Sequence, residues 1–175
     1  MLRVLIVSVI IVLIGCSKAN DKANKDPFKG MTEQERKTAL EHAITNASRK
    51  EEIQIKNYLK RHQIPAKKTL TGVHYYIYEQ GQGEIIQDGQ NVLVDYVVTK
   101  INGDTLYTTQ KKFEEFIVAN SQKESGLHEA MKFLKPGAKA IIILPSHRAH
   151  GISGDTDKIP PLTTVIYNIT VKQVF

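Results

Sequence analysis

From Thr69 to the C-terminus, apolar and polar residues trade places with a period of two, the signature of half-buried strands. Val73, Tyr75 and Ile77 alternate, and Gly81-Gln82-Gly83 then makes a turn. Val92, Val94 and Tyr96 alternate again and end at Asn102-Gly103-Asp104, a strong hairpin signal, after which 105–108 returns. Phe116-Ile117-Val118 is a short apolar run. Residues 127–134 suit a short helix, with Ala130, Met131 and Leu134 on one side and Pro136-Gly137 as the stop. Residues 138–144, apolar but for Lys139, read as a buried strand, and 165–174 form the last one. Five or six strands with one late helix predict an antiparallel α+β domain over 67–175. Upstream the period changes to that of a helix. Thr32 with Glu35 three residues on is a cap, and Leu40, Ile44, Ala47, Glu51, Ile55, Tyr58, Leu59 and His62 fall near one face, Glu51 being the polar exception. This arm, 31–64, ends before Pro65, and Asn46-Ala47-Ser48 is a point at which it could break in two. Its thin stripe is expected to pack on its own domain or on a second copy, making a homodimer; a dedicated partner groove is the smaller alternative.

The N-terminal end has a different pattern. Arg3 is followed by an apolar run from Val4 to Ile14, interrupted only by Ser8 and shorter than the ~20 residues of a spanning helix, which is the layout of an export signal. Gly15-Cys16 resembles a bacterial lipobox. That resemblance implies cleavage of residues 1–15, acylation of Cys16 and firm membrane attachment, since each buried methylene contributes roughly 0.8 kcal/mol. An uncleaved signal anchor is the alternative. Residues 16–30 are polar and read as a flexible tether. No acidic cluster follows the cysteine, so the expected location is the bacterial cell envelope, lipid-anchored at the periplasmic face of the outer membrane.

Cys16 is the single cysteine, which leaves the mature domain without a disulfide, a thiolate metal site or a thiol nucleophile. The net charge of +6 is spread along the chain, with close lysine pairs only at 67–68 and 111–112 in the body of the domain, so no nucleic-acid partner is expected. Of the histidines only His147 and His150 lie close together, and two ligands on one loop do not fill a coordination shell. No metal or cofactor is expected. Glu114, Glu115 and Glu124 read as residues of solvated loops rather than as a catalytic carboxylate pair.

The segment after residue 144 is the most specific. A strand ends at Pro145, a polar loop rich in Gly, Ser and Asp follows, and the chain returns through Ile159-Pro160-Pro161. Each proline fixes its own φ, and Pro160 restrains Ile159 before it. Together with Gly72-Val73-His74-Tyr75, Val92-Leu93-Val94-Asp95-Tyr96, Gly126-Leu127-His128-Glu129-Ala130-Met131 and Lys135-Pro136-Gly137, this loop resembles the FK506-binding-protein (FKBP) type of peptidyl-prolyl isomerase over about residues 71–175. The 144–159 segment and the acylated, helix-tethered layout are most similar to the lipoprotein members associated with gliding motility in Bacteroidetes. The resemblance implies a curved antiparallel sheet wrapped around the short helix, with a pocket between them.

It also implies the pocket residues. Tyr96, Ile159 and Tyr167 match the family pattern. Leu106 stands where the family has Phe, Leu127 where it has Trp, and His150 where it has a Tyr that donates to a substrate carbonyl. Tyr107 stands in place of an Asp, and Glu124 in place of an apolar residue whose backbone N–H meets the substrate. Taken singly, Tyr96 and Tyr167 could equally be sheet-face packing and His150 an exposed loop residue. The implied activity is a membrane-tethered isomerase acting on proline-containing unfolded or exported polypeptides, through an apolar pocket that favours the twisted amide. Imidazole at 150 keeps a hydrogen-bond donor and brings a titration near neutrality, so retained binding with weak, pH-sensitive turnover is expected. The alternative is a catalytically weak or inactive chaperone or assembly lipoprotein of a secretion or gliding machinery.

Overall fold

The computed structural model describes residues 28–110 and 112–175. The expected signal segment, Cys16 and most of the expected tether lie outside them. Among the described residues, those before Leu40 and those from Leu40 onward belong to two compact units. The first contains the start of helix α1 (Glu33–Arg61). Its cap is the expected one: Thr32 N–H and Oγ1 both donate to Glu35 Oε2 at 2.8 and 2.9 Å, and Glu35 N–H donates to Thr32 Oγ1 at 3.3 Å.

The helix is not broken at Asn46-Ala47-Ser48, contrary to the expectation from sequence. Each of these side chains is exposed or half-buried, and their propensity cost of at most ~0.7 kcal/mol each is too small to interrupt a helix anchored further on. The anchor is its C-terminal half. Ile55 is fully buried with Ile143 and Ile166, and Tyr58, Leu59, Ile101 and Ile141 pack around them. Leu40 and Ile44, on the same stripe, remain exposed.

Seven strands follow among the described residues: β1 (Lys67–Lys68), β2 (His74–Glu79), β3 (Asn91–Lys100), β4 (Thr105–Thr108), β5 (Glu114–Ile117), β6 (Lys139–Leu144) and β7 (Val165–Val174). The one not foreseen is β1, two charged residues with no alternation to reveal them. All pairings are antiparallel, in the order β1-β2-β6-β7-β3-β4, with β5 also paired to β3. Helix α2 (Ser125–Met131) begins and ends earlier than the expected 127–134.

Alternation decides the two faces. Val92, Val94, Tyr96 and Val98 of β3 and Val165, Tyr167, Ile169 and Val171 of β7 point to one side. There they meet Leu127, Ala130 and Met131 of α2 in the main core. Ile166 of β7 and Ile143 of β6 point to the other side, toward α1. The apolar run 140–144 in β6 is thereby explained, because this strand is covered on both faces.

Candidate functional site: a tyrosine-lined cleft

At one end of the main core the strands open into a cleft of about 310 Å³. β3 contributes Tyr96 and Val98, β4 Tyr107, β5 Glu114, and β7 Tyr167. The segment before α2 adds Gln122, Lys123 and Glu124, and the loop after β6 adds His150 and Asp155. Tyr96 and Tyr167 meet edge to face, with centroids 5.3 Å apart. This is a favoured aromatic geometry, and it follows from the two residues facing the core in adjacent strands.

Carboxylates tie the phenols down. Tyr167 OH donates to Glu124 Oε1 at 2.6 Å, and His150 Nε2 donates to the same oxygen at 3.0 Å. Tyr96 OH donates to Glu114, which also pairs with Lys123. Burial, and then the hydrogen bond to Glu114, pushes the Tyr96 phenol far above its ordinary range. Burial and the Glu124 carboxylate do the same to Tyr167. Tyr107 OH donates to Asp155 and lies 3.2 Å from Asp157 Oδ2, and the bond to Asp155 raises its pKa to about 12.

Asp155 organises the loop. Its Oδ1 accepts the backbone N–H groups of Ile159 at 2.7 Å and Asp157 at 3.0 Å. Burial acts to raise its pKa, but these bonds and the Tyr107 hydroxyl outweigh that effect and hold it at about 2. The turn needs Gly154, at φ +71°, because a Cβ there would stand 2.1 Å from the Ile159 carbonyl oxygen.

The match to a known family falls on this frame. Residues 82–172, just over half of the chain, match the profile of the FKBP-type peptidyl-prolyl cis-trans isomerase. The chain belongs to that family. FkpA of Buchnera aphidicola, an FKBP-type isomerase, is 28% identical over 160 residues, covering 87% of this chain and 64% of that protein. FkpA of Escherichia coli K12 is 29% identical over 108 residues, 62% of this chain and 40% of its own length. The chain thus spans less than two thirds of these curated relatives. Among solved structures, E. coli FkpA superposes with a TM-score of 0.64 at 23% identity, covering 83% of this chain and 74% of that one. A Pseudomonas syringae peptidyl-prolyl isomerase gives 0.65 at 23% identity, covering 74% and 94%. At that identity the two structures establish the FKBP fold.

Three of the six FKBP pocket positions chosen from sequence, Tyr96, His150 and Tyr167, line the cleft. Leu106, Leu127 and Ile159 do not line it but are buried in the same main core as the two tyrosines. The lining is more polar than an apolar pocket would require. The reading of Glu114 and Glu124 as solvated loop residues is corrected: Glu124 is only 9% exposed, and both are bound to the cleft phenols. At position 107, where the resemblance implies an Asp, the Tyr107 hydroxyl donates to Asp155, so a carboxylate lines that wall. Val98 could have been found from alternation with Tyr96; Asp155, set in a loop, gave no periodic signal. His147 donates to the Thr71 carbonyl oxygen at 3.0 Å, away from His150. Among the described residues no group of three His, Cys, Asp or Glu side chains could hold a metal ion, and no helix is long and apolar enough to cross a membrane.

Proposed function

We propose that this chain is a prolyl cis-trans isomerase that acts on exported polypeptides while tethered to the cell envelope through acylated Cys16. The observation that carries the reading is the Tyr96–Tyr167 pair inside a cleft of about 310 Å³, closed by a loop that returns through Ile159-Pro160-Pro161. A space of that size accepts a proline ring with its flanking peptide. Rotation about X–Pro faces a barrier of about 18–20 kcal/mol because the planar amide is conjugated and dipolar. The twisted state has lost conjugation and charge separation, so the ring faces of Tyr96 and Tyr167 with Val98 favour it over the planar one. This is differential stabilisation without an acid, base or covalent step. With both hydroxyls bound to carboxylates, the rings stay fixed for this role. His150 Nε2 could donate to the substrate carbonyl, but it would have to leave Glu124, which predicts weak turnover.

A protease-coupled assay on X-Pro peptides tests the reading. Tyr167→Ala should lower kcat/KM about tenfold or more, the equivalent of ~1.4 kcal/mol, and an unchanged kcat/KM in His150→Ala would exclude a part for His150. A second reading, a binding module without turnover, draws on the polar lining: Glu114, Lys123 and Glu124 bring charge where a dry pocket would be more effective. Client binding with no effect on isomerisation would select it. The lipoprotein character and the outer-membrane location draw on residues 1–16, and the likeness to the gliding-associated lipoproteins on the 144–159 segment and the tethered layout. Palmitate labelling that persists in Cys16→Ser would reject the anchor. Pairing of two copies through the arm draws on exposed Leu40 and Ile44; a monomeric mass in light scattering would reject it.

A further inference from the structure

We propose that Glu51 of α1 is a positioning residue for the cleft: its carboxylate fastens both ends of the loop that carries His150, Asp155 and Ile159. Glu51 is 8% exposed, the single polar member of the buried half of the helix stripe. Its Oε1 accepts Ser146 N–H at 2.7 Å and Thr164 Oγ1–H at 2.5 Å, and its Oε2 accepts Ser146 Oγ–H at 2.9 Å. Ser146 is the second residue after β6, directly behind Pro145, and Thr164 is the last before β7. One side chain from a distant helix therefore closes an excursion of the chain whose middle forms a wall of the cleft.

The connection onward is continuous. The Ser146 carbonyl, on the residue whose N–H Glu51 holds, accepts Ala149 N–H at 3.0 Å and Gly151 N–H at 2.8 Å. These two residues flank His150, whose ring meets Glu124. The Gly151 carbonyl accepts Leu162 N–H at 2.9 Å, joining the outgoing and returning halves of the loop. A buried carboxylate needs donors, and three fixed donors from two separate points leave little freedom in where the loop stands. An apolar residue on the stripe would bury as well, but it would leave the Ser146 N–H and the Thr164 hydroxyl without an acceptor.

The inference rests on the isomerase reading only in its kinetic part, so two measurements are made on the full chain in detergent. Glu51→Leu keeps the volume and removes every acceptor. Glu51→Gln keeps Oε1 for two donors and can donate from its amide to Ser146 Oγ. In Glu51→Leu, amide hydrogen exchange at Ala149, Gly151 and Leu162 should accelerate tenfold or more beyond any acceleration at Ile142 and Tyr167 in the strands. Glu51→Gln should restore the wild-type pattern. kcat/KM on an X-Pro peptide should fall roughly ten- to a hundredfold in Glu51→Leu, the scale of a small misplacement of site groups, and recover in Glu51→Gln. Thr164→Val, which removes one donor and keeps shape, should give the same loop-confined acceleration at about fivefold, the loss of one hydrogen bond; it serves if Glu51→Leu does not fold. Loop amides that accelerate only in step with the strands overturn the clamp. A loosened loop with unchanged kcat/KM overturns its role at the site. If the wild-type chain turns over no X-Pro peptide, the functional reading falls, and the exchange pattern alone decides whether Glu51 positions the loop.

Discussion

Two buried glutamates, Glu51 and Glu124, have similar exposure and opposite surroundings. Glu51 sits between α1 and the ends of β6 and β7 and meets only neutral donors whose positions the backbone fixes. Glu124 sits at the wall of the cleft, where its partners are the Tyr167 phenol and the His150 ring. Both border a pocket, but the donors of the first come from the two ends of one loop. Those of the second are side-chain tips lining the larger cleft, where water or a ligand can replace a partner. A buried acid is therefore read by what surrounds it, and the same residue type serves to hold at one place and to exchange at the other.

The sharpest way to break that contrast is stability. Glu51→Ala should lower the unfolding free energy by about 3 kcal/mol, because two buried donors and a backbone N–H lose their acceptor. Glu124→Ala should cost only about 1 kcal/mol, since the cleft admits water to Tyr167 and His150. Urea titrations that give equal losses would erase the distinction. Next in size is Gly154→Ala, where the left-handed φ and the approach to Ile159 forbid a side chain. A loss of about 1–3 kcal/mol is expected, with a fall in kcat/KM larger than that of a surface substitution.

The third test is pH. Asp155 is held at about 2 in the folded chain, below its value when unfolded. The unfolded state thus binds the extra proton first, so its contribution is present above about pH 4 and fades as the pH falls toward 2. Asp155→Asn should flatten that part of the acid unfolding curve. The phenols of Tyr96, Tyr107 and Tyr167 are raised instead. Their contribution is complete below about pH 10 and is lost as the pH climbs through their folded values, which phenolate absorbance can follow. Smallest of all, Leu40→Ser and Ile44→Ser should change monomer stability by no more than ~0.5 kcal/mol, as for exposed sites; a larger loss that depends on protein concentration would reveal a pairing face.

Most of the frame was legible because it is periodic. Alternation on β3 and β7 put Tyr96 and Tyr167 on the core side, and Asn102-Gly103-Asp104 marked its hairpin. The charged pair of β1 has no period, so its pairing with β2 depends on tertiary contact alone. The polar character of the cleft was hidden for another reason. Glu114 and Glu124 lie in segments whose sequence suits solvent, and only the folded sheet brings Tyr96 and Tyr167 within reach of their carboxylates. Glu51 could be seen as an exception on an apolar stripe, but its donors are 95 and 113 residues away.

The back of the sheet has a practical consequence. Because Ile143 and Ile166 are roofed by Ile55, a fragment that begins at Lys67 would expose an oily strip on β6 and β7 and strip both hinges of the loop of their acceptor. The smallest piece able to stand alone therefore begins inside the long helix, upstream of Glu51, and a preparation trimmed to the matched family region would be a sticky and loosened version of the molecule.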